Sequence, residues 1–94
     1  MELKQSETNA RGLLELVDGE HIVARMTYSR MDQHNIIVDH TAVDPNAKGT
    51  GAGKRIVMEM VAWARKHEQK VLPLCPFAKA IIEKYPETHD VLRP

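Results

Sequence analysis

Residues 44–57 read DPNAKGTGAGKRIV, and the three glycines at alternate positions, Gly49, Gly51 and Gly53, restrict this chain more than any other stretch. They lie between a β-branched run and the clearest helical pattern in the sequence. Residues 36–43 (IIVDHTAV) read as a strand, which Asp44-Pro45-Asn46 breaks. Residues 52–69 then place Ile56, Met60, Trp63 and Ala64, joined by Val57 and Val61, on one helical face. A helix start leaves backbone N–H groups unpaired and carries partial positive charge, so it attracts phosphate. Glycines just before such a start let those N–H groups converge with no side chain in the way. Lys48 and Lys54 flank the triplet with two point charges. The physical reading is a phosphate or diphosphate site between strand and helix. The rival reading is a plain connector, but three glycines in five residues cost conformational entropy that a connector need not bear.

The common nucleotide fingerprints do not fit. For G-x-x-x-x-G-K-[ST], Lys48 stands five residues before Gly53 where glycine is needed, and Arg55 takes the Ser/Thr place. For G-x-G-x-x-G, Lys54 or Ile56 occupies the third glycine position.

Around this centre the chain alternates short elements. Residues 13–17 (LLELV) form an apolar run that ends at Asp18-Gly19, a hairpin signal. Within residues 21–30, Ile22, Ala24, Met26 and Tyr28 recur with period two, as in a strand with one buried face. After the long helix, residues 71–74 read as a short strand. Residues 76–85 read as a second helix, opened by Pro76 and stopped by Pro86. The tail ETHDVLRP carries no pattern. The expected order is three antiparallel strands, a helix, a strand parallel to the third, and a helix: an α/β (α+β) sheet of mixed direction with a β-α-β crossover. No repeat or linker divides the chain, so residues 1–94 are expected to form one domain.

Composition narrows the function classes. With 13 Lys+Arg against 13 Asp+Glu in 94 residues the formal charge is zero, which argues against a chain built to coat nucleic acid or an anionic membrane. Cys75 is the only cysteine, so neither an internal disulfide nor a thiolate-rich zinc site can form, and no histidine pair has metal spacing; no metal is expected. A lone cysteine, a polar N-terminus and the lack of a long apolar run point to a soluble protein of the reducing cytoplasm.

The stretch Lys48-Gly49-Thr50-Gly51-Ala52-Gly53 resembles the [QR]-x-x-G-x-[GA] signature of the GNAT superfamily of acetyl-CoA-dependent N-acetyltransferases, with lysine where glutamine or arginine is usual. The order strand, glycine loop, long helix, parallel strand matches the core of that superfamily, over residues ~13–85. Asp39-His40-Thr41 and Cys75-Pro76-Phe77-Ala78-Lys79 resemble the D-H-T and C-x-F-A-K segments of a shortened, minimal GNAT subfamily. The inserted helices and last strands of the larger enzymes, which shape the acceptor pocket, are missing. The resemblance implies acetyl-CoA as co-substrate. Its diphosphate would lie on Lys48, Gly49, Thr50, Gly51, Ala52, Gly53 and Lys54, and its pantetheine arm along the main chain at Thr41 and Val43.

His40 and Cys75 are the candidate catalytic residues. The resemblance puts the thioester in a gap between the third and fourth expected strands, where one carries His40 and the other ends at Cys75. As N-cap residue before Pro76, Cys75 meets unpaired N–H groups that favour a thiolate. Each has a plain structural alternative. Cysteine is commonly a buried inert side chain, and His40, on a strand face with Ile36, Val38 and Ala42, reads as a core histidine. Many GNATs carry a tyrosine that protonates the leaving thiolate, but Ile82 holds that position here. Tyr85 lies one turn further on and is expected to pack with Phe77 and Ile81. The expected activity is acetyl transfer to an unidentified amine, with an open acceptor side suited to a protein or peptide. The alternatives are a non-catalytic CoA or acyl-CoA-binding module and a general phosphate-binding domain.

Overall fold

The computed structural model describes residues 1–93. Five strands form one sheet in sequential order: β1 (Glu2–Thr8), β2 (Arg11–Asp18), β3 (His21–Asp32), β4 (Asn35–Val43) and β5 (Lys70–Pro73). The first four are antiparallel and β5 runs parallel to β4, joined to it through α1 (Ala52–Lys66). Helix α2 (Pro76–Lys84) follows. This is the mixed α+β arrangement expected from the strand and helix periodicities, with one strand more.

The unexpected strand is β1. Its sequence ELKQSET has no apolar alternation, and only Leu3 is even half-buried. It is held instead by backbone pairing to β2 and by polar side chains. Gln5 Nε2 donates to the Tyr28 hydroxyl at 2.8 Å, and that hydroxyl donates to Glu7 Oε1 at 2.6 Å. Arg30 Nε donates to Glu7 Oε2 at 2.7 Å. The hairpin at Asp18-Gly19 forms as expected, with Asp18 paired to His21 and Gly19 at φ 63°.

Helices α1 and α2 touch each other and cover one face of the sheet. Leu14, Leu16, Ala24, Met26, Tyr28, Ile36, Val38 and Val71 point into that layer, against Ile56, Val57, Met60, Val61, Ala78 and Ile82. Helix α1 ends three residues earlier than its pattern predicts, because Glu68 adopts φ 55° and Gln69 folds inward, donating to the Gln33 and His67 carbonyls. The featureless tail is part of the core: a 3-10 turn over Pro86–Val91 buries Thr88 and Val91. It is pinned by a two-pronged Arg65–Asp90 pair, at 2.8 and 2.7 Å. Among the described residues no helix is long and apolar enough to cross a membrane.

Candidate functional site

The site begins where β4 and β5 part. Val38–Pro73 is the last pair in their register. Beyond it the amides of Leu74 and Cys75 both turn back to the Val38 carbonyl, at 3.0 and 3.1 Å. Pro73 has no N–H to offer a ladder and suits a strand leaving its neighbour. Strand β4 continues over residues 40–43 paired to β3 alone. The Asp44 amide bonds the Val23 carbonyl at 2.9 Å, so by alternation Ala42 and His40 also turn their main-chain groups toward β3. Thr41 and Val43 are left presenting theirs to the gap.

The glycine loop opens on the same gap. Gly49 and Gly51 have φ 82° and 84°, a left-handed conformation that a side chain resists, and a Cβ on either would meet nothing within 4 Å. Gly51 is the N-cap of α1 and offers its first-turn amides no side-chain partner; no acidic residue stands in that turn. Thr50 is turned back, its amide and hydroxyl both donating to the Ala47 carbonyl. The result is an open cradle of backbone amides with Lys48 beside it, which fits a diphosphate in charge and in available space. Gly53 differs from its two companions. It is helical and buried, and a Cβ there would stand 2.4 Å from Phe77 Cζ. The third glycine therefore lets the Phe77 ring close over the start of α1.

Phe77 and Ile81, which periodicity assigned to a packing stripe, are cleft residues. With Val43, Ala47, Gly51 and Gly53 they line a cleft of about 460 Å³, and Phe77 remains 43% exposed. Helical spacing gives the stripe but not which neighbour it meets, so this role had no signal in the sequence. Ile82, at the position where a GNAT tyrosine would stand, is 1% exposed and belongs to the core. Tyr85 does not continue the stripe as expected: its ring packs beneath the Lys54 ammonium, 4.4 Å from the centroid, with that of Lys84 at 5.9 Å.

Cys75 is the N-cap of α2 and 3% exposed. Its sulfur lies 3.5 Å from Thr41 Oγ1, across the fork. Burial pushes this thiol up, but the Thr41 hydroxyl and the amides of Ala78, Phe77 and Thr41 outweigh burial and bring it below the ordinary thiol value.

His40 is not a core histidine. Thr27 pairs with His40 but Tyr28 pairs with Val38, so Asp39 is an extra residue in β4. This bulge reverses the alternation: Ile36 and Val38 face the helices, and after it Thr41 does so while His40 and Ala42 are exposed. The structure brings Cys75 to Thr41 and sets His40 on the opposite, uncovered face, beside Thr27. Ser29 Oγ donates to Asp39 Oδ2 at 2.8 Å on the sheet edge of the bulge.

Residues 14–91 match the protein family described as GCN5-related N-acetyl-transferase. No curated protein sequence matches the chain. Among solved structures, a GCN5-like protein from Staphylococcus aureus is similar at a TM-score of 0.68 and 30% identity, over 97% of this chain and 88% of that one. The ribosomal-protein-S18-alanine N-acetyltransferase from Escherichia coli shares the fold at a TM-score of 0.67 and 14% identity, over 83% of this chain and 53% of that one. A GNAT-family protein from Bacteroides thetaiotaomicron does so at 0.60 and 19%, over 84% and 46%. This chain thus spans about half the length of the latter two. A forked β4–β5 pair, a glycine loop at the start of α1 and a family match from Leu14 to Val91 lead to one assignment: the chain belongs to the GCN5-related N-acetyltransferase family.

Proposed function

We propose that this protein is an acetyl-CoA-dependent N-acetyltransferase whose 94 residues act as one minimal domain. The observation that supports this most is a cleft lined by Val43, Gly49, Gly51 and Gly53, two residues along β4 from the fork at which the Cys75 thiol meets Thr41. In this reading Lys48, Gly49, Thr50, Gly51, Ala52, Gly53 and Lys54 hold the diphosphate, and Thr41 and Val43 receive the pantetheine arm. The bound coenzyme supplies an acetyl thioester, and the chain's own groups then have two tasks. An acceptor amine must lose a proton as it forms its bond to the acetyl carbon, and the C–S bond must break with the sulfur leaving as thiolate. His40 takes the amine proton, from the uncovered sheet face where an acceptor is free to approach. Cys75 either carries the acetyl group transiently on Sγ or lines the thioester as a polar neighbour. The open sheet face suits a protein or peptide amine.

A second reading, a non-catalytic CoA-binding module, draws support from the separation of His40 from Cys75 and from the burial of Ile82. Labelled acetyl-CoA with a panel of amines and peptides, wild type beside Cys75→Ala and His40→Ala, decides between the two. Transfer of label to an amine, lost in at least one variant, supports the enzyme. Tight coenzyme binding with neither transfer nor a Cys75 adduct supports the module. Thermal stabilisation by ATP and not by CoA removes both.

A further inference from the structure

Lys54, which lines the glycine cleft, meets Tyr85 just beyond the end of α2. Lys54 is the third residue of α1 and Tyr85 the first beyond α2, so the lysine side chain spans from one helix to the other. Its ammonium stands 4.4 Å above the Tyr85 ring, within the range of a cation–π contact. Tyr85 is only half-buried and lies outside the hydrophobic cluster. The nearby ammonium also holds its phenol below the ordinary tyrosine range. The floor and wall of the same cleft are Gly51, Gly53, Phe77 and Ile81.

We propose that Tyr85 is a positioning residue: its ring holds the Lys54 ammonium at the rim of the amide cradle, so that an incoming diphosphate meets a cation already in place. The inference rests on the coenzyme-binding reading above. A free lysine has many rotamers, and an anion that must first order one binds more weakly than an anion that finds it fixed. A ring contact at an exposed site changes affinity by about two- to fivefold.

The test is isothermal calorimetry of CoA, and of inorganic diphosphate, with wild type, Tyr85→Ala, Tyr85→Phe, Lys54→Met and the Lys54→Met/Tyr85→Ala double variant. Tyr85→Ala is expected to raise Kd about two- to fivefold for both ligands, and Tyr85→Phe, which keeps the ring, to stay near wild type. In the Lys54→Met background, Tyr85→Ala is expected to add nothing. Three results overturn the inference: unchanged or tighter binding in Tyr85→Ala, an equal loss in Tyr85→Phe, or an undiminished loss when Lys54 is already gone. Absence of CoA binding by wild type removes instead the function on which it rests. The contact itself is then read without ligand, from the upfield ring-current shift of the Lys54 ε-protons and its loss in Tyr85→Ala.

Discussion

Replacing Gly53 by alanine separates two readings of the glycine triplet. A Cβ at this position would stand 2.4 Å from Phe77 Cζ, 3.0 Å from Phe77 Cε2 and 3.3 Å from Val43 Cγ2. Overpacking of this kind costs about 1–3 kcal/mol, at the lower end here because the partly exposed ring can swing away. Against it stands the better helix propensity of alanine, up to about 1 kcal/mol and less in a first turn. The net expectation for Gly53→Ala is a loss of about 1 kcal/mol, a fall in Tm of roughly 4–8 °C for a domain of this size. In a Phe77→Ala background the ring is gone and only the Val43 contact persists, so the same change is expected to become neutral or to stabilise by up to about 1 kcal/mol. Thermal and urea unfolding of the four proteins in this cycle measure the coupling directly. A loss of the same size in both backgrounds would show that Phe77 is not what Gly53 accommodates. The argument for the third glycine would then fail, leaving those for Gly49 and Gly51 intact.

Three further outcomes follow from the same geometry. The Cys75 thiolate, followed by its ultraviolet absorbance with Cys75→Ala as blank, is expected to titrate below an ordinary thiol, and Thr41→Val to move it up. Because the folded value is the lower one, the thiolate's contribution to stability is present above the unfolded thiol value and is lost as pH falls through the folded one. The stability gap to Cys75→Ala should therefore widen as pH rises toward the unfolded thiol value, about 8.5, and level off above it, and a constant gap would contradict the shift. Glu7 is held below the usual carboxylate range, first by Arg30 and then by the Tyr28 hydroxyl. Glu7→Gln is accordingly expected to cost at most about 1 kcal/mol at neutral pH, since the group is solvent-screened, and nothing once acid has protonated the wild-type carboxylate, as urea unfolding at both pH values will show. His40→Ala is expected to leave stability within about 0.5 kcal/mol, since the ring is exposed; a larger loss in the same assay would return it to the core.

Much of the fold was legible because its inner elements bury one face each. The period-two run from Ile22 to Tyr28, the helical face from Ile56 to Ala64 and the Pro76 and Pro86 boundaries all state a geometry locally. β1 did not, because an edge strand exposed along nearly its whole length needs no apolar alternation. What fixes it is a hydrogen-bond chain from Gln5 and Glu7 to Tyr28 and Arg30, residues more than twenty positions away. The tail was silent for a related reason. A six-residue 3-10 helix that buries Thr88 and Val91 is too short to show a period, and Arg65, which anchors its Asp90, lies in another element.

The site divides along the same line between local and non-local information. The backbone of the cradle was readable since left-handed conformations favour glycine, and Gly49 and Gly51 supply it in sequence. The acidic thiol was readable in part, since Pro76 marks Cys75 as an N-cap, although Thr41, its hydroxyl partner, comes from a different strand. The reading of His40 as a core histidine failed because alternation was carried straight through Asp39. One extra residue in β4 reverses the face of everything after it, and nothing in IIVDHTAV announces that residue. The same reversal has a chemical consequence. Without it Thr41 would point to solvent and His40 into the helix layer, so the sulfur would lose its hydroxyl partner and the uncovered face this imidazole. The bulge is thus what sends a thiol-bound hydroxyl to one side of the fork and an imidazole to the other, the division that the proposed reaction would need if its donor and acceptor arrive from opposite faces.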